Sequence, residues 1–410
     1  MMSRIIILTE IFFPIETSTG YLLTKIATGL TQRYAITVVT GKPDEIDAIS
    51  EKGGGDYLEG VEIIRCAQVS FKSQGLAQRL IQSALSATSI LWKVLQVCCQ
   101  DDVLLVVTNP PLLPFSALIV KLLKRCRYVL LVHDVYPDAL SVMNIIKPSS
   151  LVYKIWENLN RKLYKYASQI IVLGRDMSKL LQDKGYTDEL KVCLIHNWAD
   201  IETISPQLKS NNILIKEYSL ANKFVFLYAG NMGRTHGIET LAEVVNILKH
   251  KQSLHFIFIG FGAKKSWLED YKSKHQLNNV SIFSMTRPRS EQVISLNACD
   301  VAVIAFSPGM SGISVPSRMY NHMAAGRPII ALADRSSELA MVIEEEKIGW
   351  VVPPNDFERL LAVIEFAQAH PEICAAMGAR ASSAVKKKYT LNHALVRYSQ
   401  LFEKLFSVYR

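Results

Sequence analysis

Eleven short runs of apolar residues punctuate this 410-residue chain, with helical patterns filling the intervals. In the first half they are Ile5–Leu8, Ile36–Val39, Val103–Val107, Tyr128–Val132 and Ile170–Leu173. In the second they are Phe224–Tyr228, His255–Ile259, Val280–Phe283, Val301–Ala305, Ile329–Leu332 and Trp350–Val352. A strand apolar on both faces needs cover on both, so the alternation predicts an α/β fold of parallel sheets enclosed by helices. The series breaks between Trp198 and Lys223, around the polar Ser210-Asn211-Asn212, and two such sheets are expected in succession. With 49% apolar and 20% charged residues and no low-complexity block, the chain has material for two cores and is not a disordered or solenoid protein.

In open parallel sheets ligands meet the carboxyl ends of the strands, so the residues just after each run carry the functional reading. Phe224–Tyr228 leads into Ala229-Gly230-Asn231-Met232-Gly233-Arg234-Thr235-His236-Gly237, where small residues let a substrate approach the backbone and Arg234 offers charge to a phosphate leaving group. His255–Ile259 leads into Gly260-Phe261-Gly262-Ala263-Lys264-Lys265, a dinucleotide fingerprint lacking its third glycine, whose lysines equally suit a solvated helix start. Arg287, after Val280–Phe283, also reads as a simple turn residue. The stretch Ser314-Val315-Pro316-Ser317-Arg318-Met319-Tyr320-Asn321-His322 is the most informative. Pro316 suits a first helical turn, Ser317 and Arg318 fall where free N–H groups face an anion, and Gly326 with Pro328 ends the helix. Asn321 lies one turn on, on the same face, positioned for a sugar hydroxyl. In the first half Tyr128–Val132 delivers His133, Asp134 and Asp138 to a sheet mouth; a histidine there can contact a sugar hydroxyl or relay a proton near neutral pH, or can be a structural residue bonded to backbone.

These motifs resemble family 4 glycosyltransferases, in particular the capsule and O-antigen branch that includes colanic-acid and L-fucosamine transferases. The Pro-Ser-basic start and the Met-Ala-Ala-Gly-basic-Pro end of the 314–328 stretch are similar to that family's donor-binding helix. The resemblance implies the GT-B fold, two Rossmann-like domains facing across a cleft: an acceptor-side domain over 1–200, a nucleotide-sugar domain over 201–388, and a terminal helix over 389–410 returning to the first. It implies His133, Arg234 and Arg318 in catalysis. It implies Gly230, Asn231, Gly233, Gly262, Lys264, Arg287, Ser314, Ser317 and Asn321 on the donor, and Gly20, Asp134 and Asp138 on the acceptor side. Asn321 and Ile313 stand where the family usually has glutamates, His236 where many members have lysine, and Gly20 is one glycine where a pair is usual. The implied reaction moves a sugar from a nucleotide-diphosphate sugar to a lipid-linked or oligosaccharide acceptor in surface polysaccharide synthesis, with retention and without metal or other cofactor. The alternatives are a nucleotide-sugar epimerase of the same fold and a non-catalytic binding or assembly subunit.

The net charge is +9, and between Arg65 and Lys165 thirteen Lys and Arg face five Asp and Glu. The same interval holds helical patterns over Leu76–Val97 and Leu112–Leu123. Apolar helices edged with basic residues fit an anionic membrane surface, and they equally fit core helices with solvated ends. Glu10 interrupts the first apolar run, no cleavage site follows, and no run long enough to span a bilayer occurs. Seven cysteines without a Cys-x-x-Cys pair point to a reducing compartment, and Cys98-Cys99 reads as buried. The expectation is a cytoplasmic protein, peripheral on the cytoplasmic face of the inner membrane, with no nucleic-acid partner. Asp101-Asp102 lacks the Asp-x-Asp arrangement of a metal-dependent transferase.

Overall fold

The computed structural model of the chain describes residues 2–42, 57–67, 76–284 and 289–407. Arg287 lies outside them. The chain forms two compact units: Met1–Asp138 with Ile146–His196 and Leu391–Arg410, and Ala139–Ile145 with Asn197–Thr390.

The first unit is built on an eight-stranded sheet ordered β3-β4-β2-β1-β5-β6-β7-β8. Its strands are β1 (Arg4–Leu8), β2 (Ala35–Gly41), β3 (Tyr57–Leu58), β4 (Val61–Cys66), β5 (Val103–Val107), β6 (Arg127–Val132), β7 (Gln169–Val172) and β8 (Val192–Leu194). All pair in parallel except β3, which pairs antiparallel with β4. Ile5 to Leu8 and Val103 to Val107 are fully buried, as central strands covered on both faces must be. The sequence reading missed β3, β4 and β8. β4 mixes charge into its apolar pattern (Val-Glu-Ile-Ile-Arg-Cys) because it lies next to a two-residue edge strand, and β8 is itself an edge of three half-buried residues.

The helix Leu391–Ser407 packs on the first unit: Phe402 is fully buried and edge-on to Tyr34, and the Tyr34 hydroxyl donates to the Ser399 carbonyl. Cys98 is buried and Cys99, contrary to expectation, exposed on the turn before β5. There Asp102 accepts from Nε and Nη2 of Arg4 at 2.9 and 2.6 Å and from the Cys99 N–H, a structural employment.

The second unit holds a six-stranded, all-parallel sheet ordered β11-β10-β9-β12-β13-β14. Its strands are β9 (Phe224–Ala229), β10 (Leu254–Ile259), β11 (Val280–Phe283), β12 (Val301–Ala305), β13 (Ile329–Leu332) and β14 (Gly349–Val352). The chain winds outward through β9, β10 and β11, then returns to the middle and winds the other way through β12, β13 and β14. The order reverses between β9 and β12, and such a switch point opens a crevice at the strand ends. Phe226 and Phe256 stack at 5.2 Å to fix the β9–β10 pair beneath it.

Among the described residues no single helix is long and apolar enough to cross a membrane. One bent pair, Phe357–Ala369 and Pro371–Lys388, passes on length and composition, but the two meet at 96°. Leu360, Ile364, Ala367 and Cys374 of that pair belong to the second unit's core.

Candidate functional site

Three loops converge at the carboxyl ends of β9, β10 and β12. The loop after β9 is tied to that after β10 by Gly230 N–H to Ile259 O (2.9 Å), Met232 N–H to Phe261 O (2.7 Å) and Lys264 N–H to Met232 O (2.9 Å). It is tied to the loop after β12 by Ser307 N–H to Thr235 O at 2.9 Å. Gly230 has φ +140°, and a Cβ there would sit 2.6 Å from Nη1 of Arg318, so only glycine lets the arginine lie on this backbone. A Cβ on Gly260 would lie 1.9 Å from the Gly230 carbonyl oxygen, so the two loops touch main chain to main chain.

Arg318 opens the helix Arg318–Ala324 and reaches back over the sheet end. Its guanidinium lies 5.3 Å from the centre of the Tyr228 ring and contacts the Ala229 carbonyl at 3.4 Å. It is half-buried and, among the described residues, pairs with no carboxylate. Arg234, in the facing loop, is exposed and its guanidinium has no partner among them either. Pro316 and Ser317 start a tight turn through Met319 N–H to Pro316 O and Tyr320 N–H to Ser317 O at 3.1 and 3.3 Å. Ser314 is half-buried just ahead of that turn. Asn321 follows on the helix, 7% exposed, its amide paired with no protein group among the described residues. Asn231 is exposed, with Gly233 close against its side chain.

Lys264 is held differently from its sequence reading. Its ammonium donates to Glu239 at 2.6–2.8 Å and to the His236 carbonyl at 2.7 Å, clamping the loops after β9 and β10 together. Gly262 packs on the Met232 backbone beside it. His236 is buried against Phe306, and burial followed by the charges of Arg318 and Lys264 pushes its pKa well below the usual range, leaving it neutral. His322 is fully buried with neither ring nitrogen partnered among the described residues, and burial pushes it down to about 3.

In the first unit the Thr108 hydroxyl, after β5, accepts the N–H groups of His133 and Asp134 and donates to the Asp134 carbonyl, fixing the turn after β6. Nε2 of His133 is buried without a partner among the described residues, and burial pushes the imidazole down to about 4. It is neutral near pH 7, which suits a hydrogen bond to a sugar better than proton relay. Asp134 is half-buried in that turn. Asp138 accepts from Tyr153 and Lys184, each at 3.0 Å, in a network with Glu157. Gly20 lies on the first turn of helix Ser18–Leu30, where a Cβ would meet the Ile15 carbonyl at 2.2 Å.

The sequence reading missed three residues. Tyr228 supplies the ring beneath Arg318, Glu239 neutralises Lys264, and Asp334, after β13, takes the N–H groups of Gly309 and Ser311 to hold the loop leading into the site helix. Asp334 alone carried a signal, standing at a strand's carboxyl end like the other candidates. Among the described residues no group of three or more His, Cys, Asp or Glu could hold a metal ion.

Comparison with known proteins accords with this geometry. A family profile described as "Glycosyl transferases group 1" matches residues 211–384, and one described as "Glycosyl transferase 4-like domain" matches residues 21–198. The chain is 30% identical to "Probable glycosyltransferase WbjE" of Pseudomonas aeruginosa over 99% of both chains. It is 26% identical to "Putative colanic acid biosynthesis glycosyl transferase WcaI" of Escherichia coli over half of each. Among solved structures, Anabaena Alr3699/HepE in complex with UDP and glucose superposes with a TM-score of 0.76 at 15% identity, covering 98% of this chain and all of that one. Sucrose-phosphate synthase from Thermosynechococcus elongatus gives 0.80 at 15% identity, covering 99% and all of that chain. At that identity both establish the fold and no more.

Proposed function

The chain belongs to the GT-B glycosyltransferases related to family 4, and from that premise we propose that it transfers a sugar from a nucleotide-diphosphate sugar to a lipid-linked glycan in surface polysaccharide synthesis. One observation carries the reading: a half-buried arginine, Arg318, lies on glycine backbone at the switch point of the second unit, with no carboxylate partner among the described residues. A cation withdrawn from water and left unpaired is costly unless an anion completes it. The similar Anabaena structures in complex with UDP and with UDP-glucose support a nucleoside diphosphate as that anion.

In the reaction the anomeric carbon–oxygen bond to the diphosphate breaks, its electron pair stays on the β-phosphate oxygen, and an acceptor hydroxyl oxygen bonds to the anomeric carbon. Positive charge builds on the sugar and negative charge on the departing diphosphate. Arg318 and Arg234 stabilise the latter, so the barrier falls without a metal ion. Asn321 offers its amide to the ribose hydroxyls; being uncharged, it holds them by neutral hydrogen bonds only. In the retaining course the leaving phosphate oxygen itself takes the acceptor's proton on the same face. His133, neutral, is suited to a hydrogen bond with a sugar hydroxyl at the mouth of the first unit's sheet. Lys264 acts at one remove, holding the loops in place. A lipid-linked acceptor puts the enzyme at a membrane surface on the cytoplasmic side, where nucleotide sugars are made.

The test is transfer of radiolabel from a panel of nucleotide-diphosphate sugars to lipid extract, with and without EDTA. The expected result is labelled lipid from at least one donor, insensitive to EDTA. Epimerised donor with no labelled acceptor would overturn the reading in favour of an epimerase, and no nucleotide binding at all in favour of a non-catalytic subunit.

A further inference from the structure

The connections from β4 to β5, β5 to β6 and β6 to β7 all step across the first sheet in the same direction. Right-handed crossover therefore lays their helices, Leu76–Val97, Leu113–Lys124 and Leu151–Tyr166, on one face, and neighbouring helices pack on each other. The outward side of this layer is unlike a water-facing surface. On Leu76–Val97 the stripe Ile81, Leu85 and Trp92 points out, with Trp92 68% exposed, while the buried side includes Ser83, Ser86 and Ala87. Both serine hydroxyls are buried without hydrogen-bond partners among the described residues. Ile90 and Val94 are fully buried on the inward side as well, so the helix is apolar on both faces and not only toward the core. Leu122 and Leu123 are 62% and 66% exposed on the second helix, and Leu151, Val152, Ile155 and Leu159 are exposed on the third. Of the 23 large apolar side chains left exposed among the described residues, eleven lie on these three helices. Apolar exposure concentrated in this way marks an interaction surface.

Charge says what covers it. No acidic residue occurs between Asp102 and Asp134, whereas Lys121, Lys124 and Arg125 flank the exposed leucines. The third helix carries Lys154, Arg161, Lys162 and Lys165, and its one acid, Glu157, is paired with Lys184. Two copies of such a face would repel each other. A bilayer with anionic headgroups matches both features, taking the apolar stripe to the acyl boundary and the basic rim to the headgroups. We propose that this three-helix face of the first unit is the surface by which the chain docks on anionic lipid, with Trp92, Leu122 and Leu123 at its centre. It rests on the membrane-surface reading above and gives it an address.

The experiment is flotation of the full chain with phosphatidylcholine vesicles and with vesicles containing phosphatidylglycerol. The expected result is binding to the anionic vesicles only, weakened by salt and reduced about tenfold or more in Leu122→Glu/Leu123→Glu. Tryptophan emission shifts to the blue on those vesicles, and Trp92→Phe removes the shift. Transfer to a water-soluble acceptor analogue is equal in wild type and double variant, which shows that the variant is folded. Equal flotation of the two proteins would overturn the proposal. So would a wild-type dimer that the double variant splits. If the wild type transfers sugar but does not float, docking fails and the proposed function stands; flotation without transfer from any donor does the reverse.

Discussion

Arg318 and Gly230 act as a pair. Gly230→Ala would drive a methyl to within 2.6 Å of the guanidinium at a φ of +140°, so it is expected to cost about 1–3 kcal/mol of stability and to displace the arginine. Urea unfolding measures the first effect and nucleotide affinity the second. Arg318→Ala leaves the fold intact and lowers kcat/KM by roughly 10²–10³, the usual effect of removing one group that stabilises a developing anion. The buried histidines set the pH dependence. Burial holds His133 and His255 near 4 and His322 near 3, below the ordinary 6.5. As pH falls from about 6.5 toward 4 the unfolded chain takes up protons that the folded chain refuses, so stability falls across that window and is fully present above it. Urea titrations should show this, and His322→Met should flatten the slope by about 1.4 kcal/mol per pH unit. At this scale the sequence was legible where chemistry follows position: Arg318, Asn321 and the glycines follow strand ends and helix starts. It was not legible where a distant partner decides. Nothing local marks Lys264 as neutralised by Glu239, or Nε2 of His133 as a buried atom.

The site helix is held from behind by another. Gly378, inside Pro371–Lys388, stands so close to the end of Arg318–Ala324 that a Cβ would lie 2.1 Å from the Gly326 carbonyl oxygen. Alanine is the better helix former by about 1 kcal/mol. Gly378→Ala is nevertheless expected to destabilise and to weaken nucleotide binding, because the obstacle is backbone; thermal unfolding with and without nucleoside diphosphate measures both. Eleven of the fourteen strands among the described residues were readable from their apolar runs. The three others, β3, β4 and β8, lie at a sheet edge or next to one, where charge and brevity are tolerated.

At the scale of the molecule, the second sheet's strand order places the β9 and β12 loops side by side, and that order could not be read from the runs, which give sequence and not adjacency. The terminal helix completes the first unit: Phe402→Ala, emptying a fully buried site against Tyr34, is expected to cost about 3–5 kcal/mol by chemical denaturation.

The central claim is that Arg234 and Arg318 of the second unit hold a diphosphate. Calorimetric titration with UDP, GDP, ADP and dTDP, on wild type, Arg234→Ala and Arg318→Ala, tests it most directly. One diphosphate should bind wild type at one site per chain and bind each variant about 10- to 100-fold more weakly, as loss of a charge-assisted hydrogen bond of 1.5–3 kcal/mol requires. Affinity unchanged in both variants, with wild type binding normally, would contradict it.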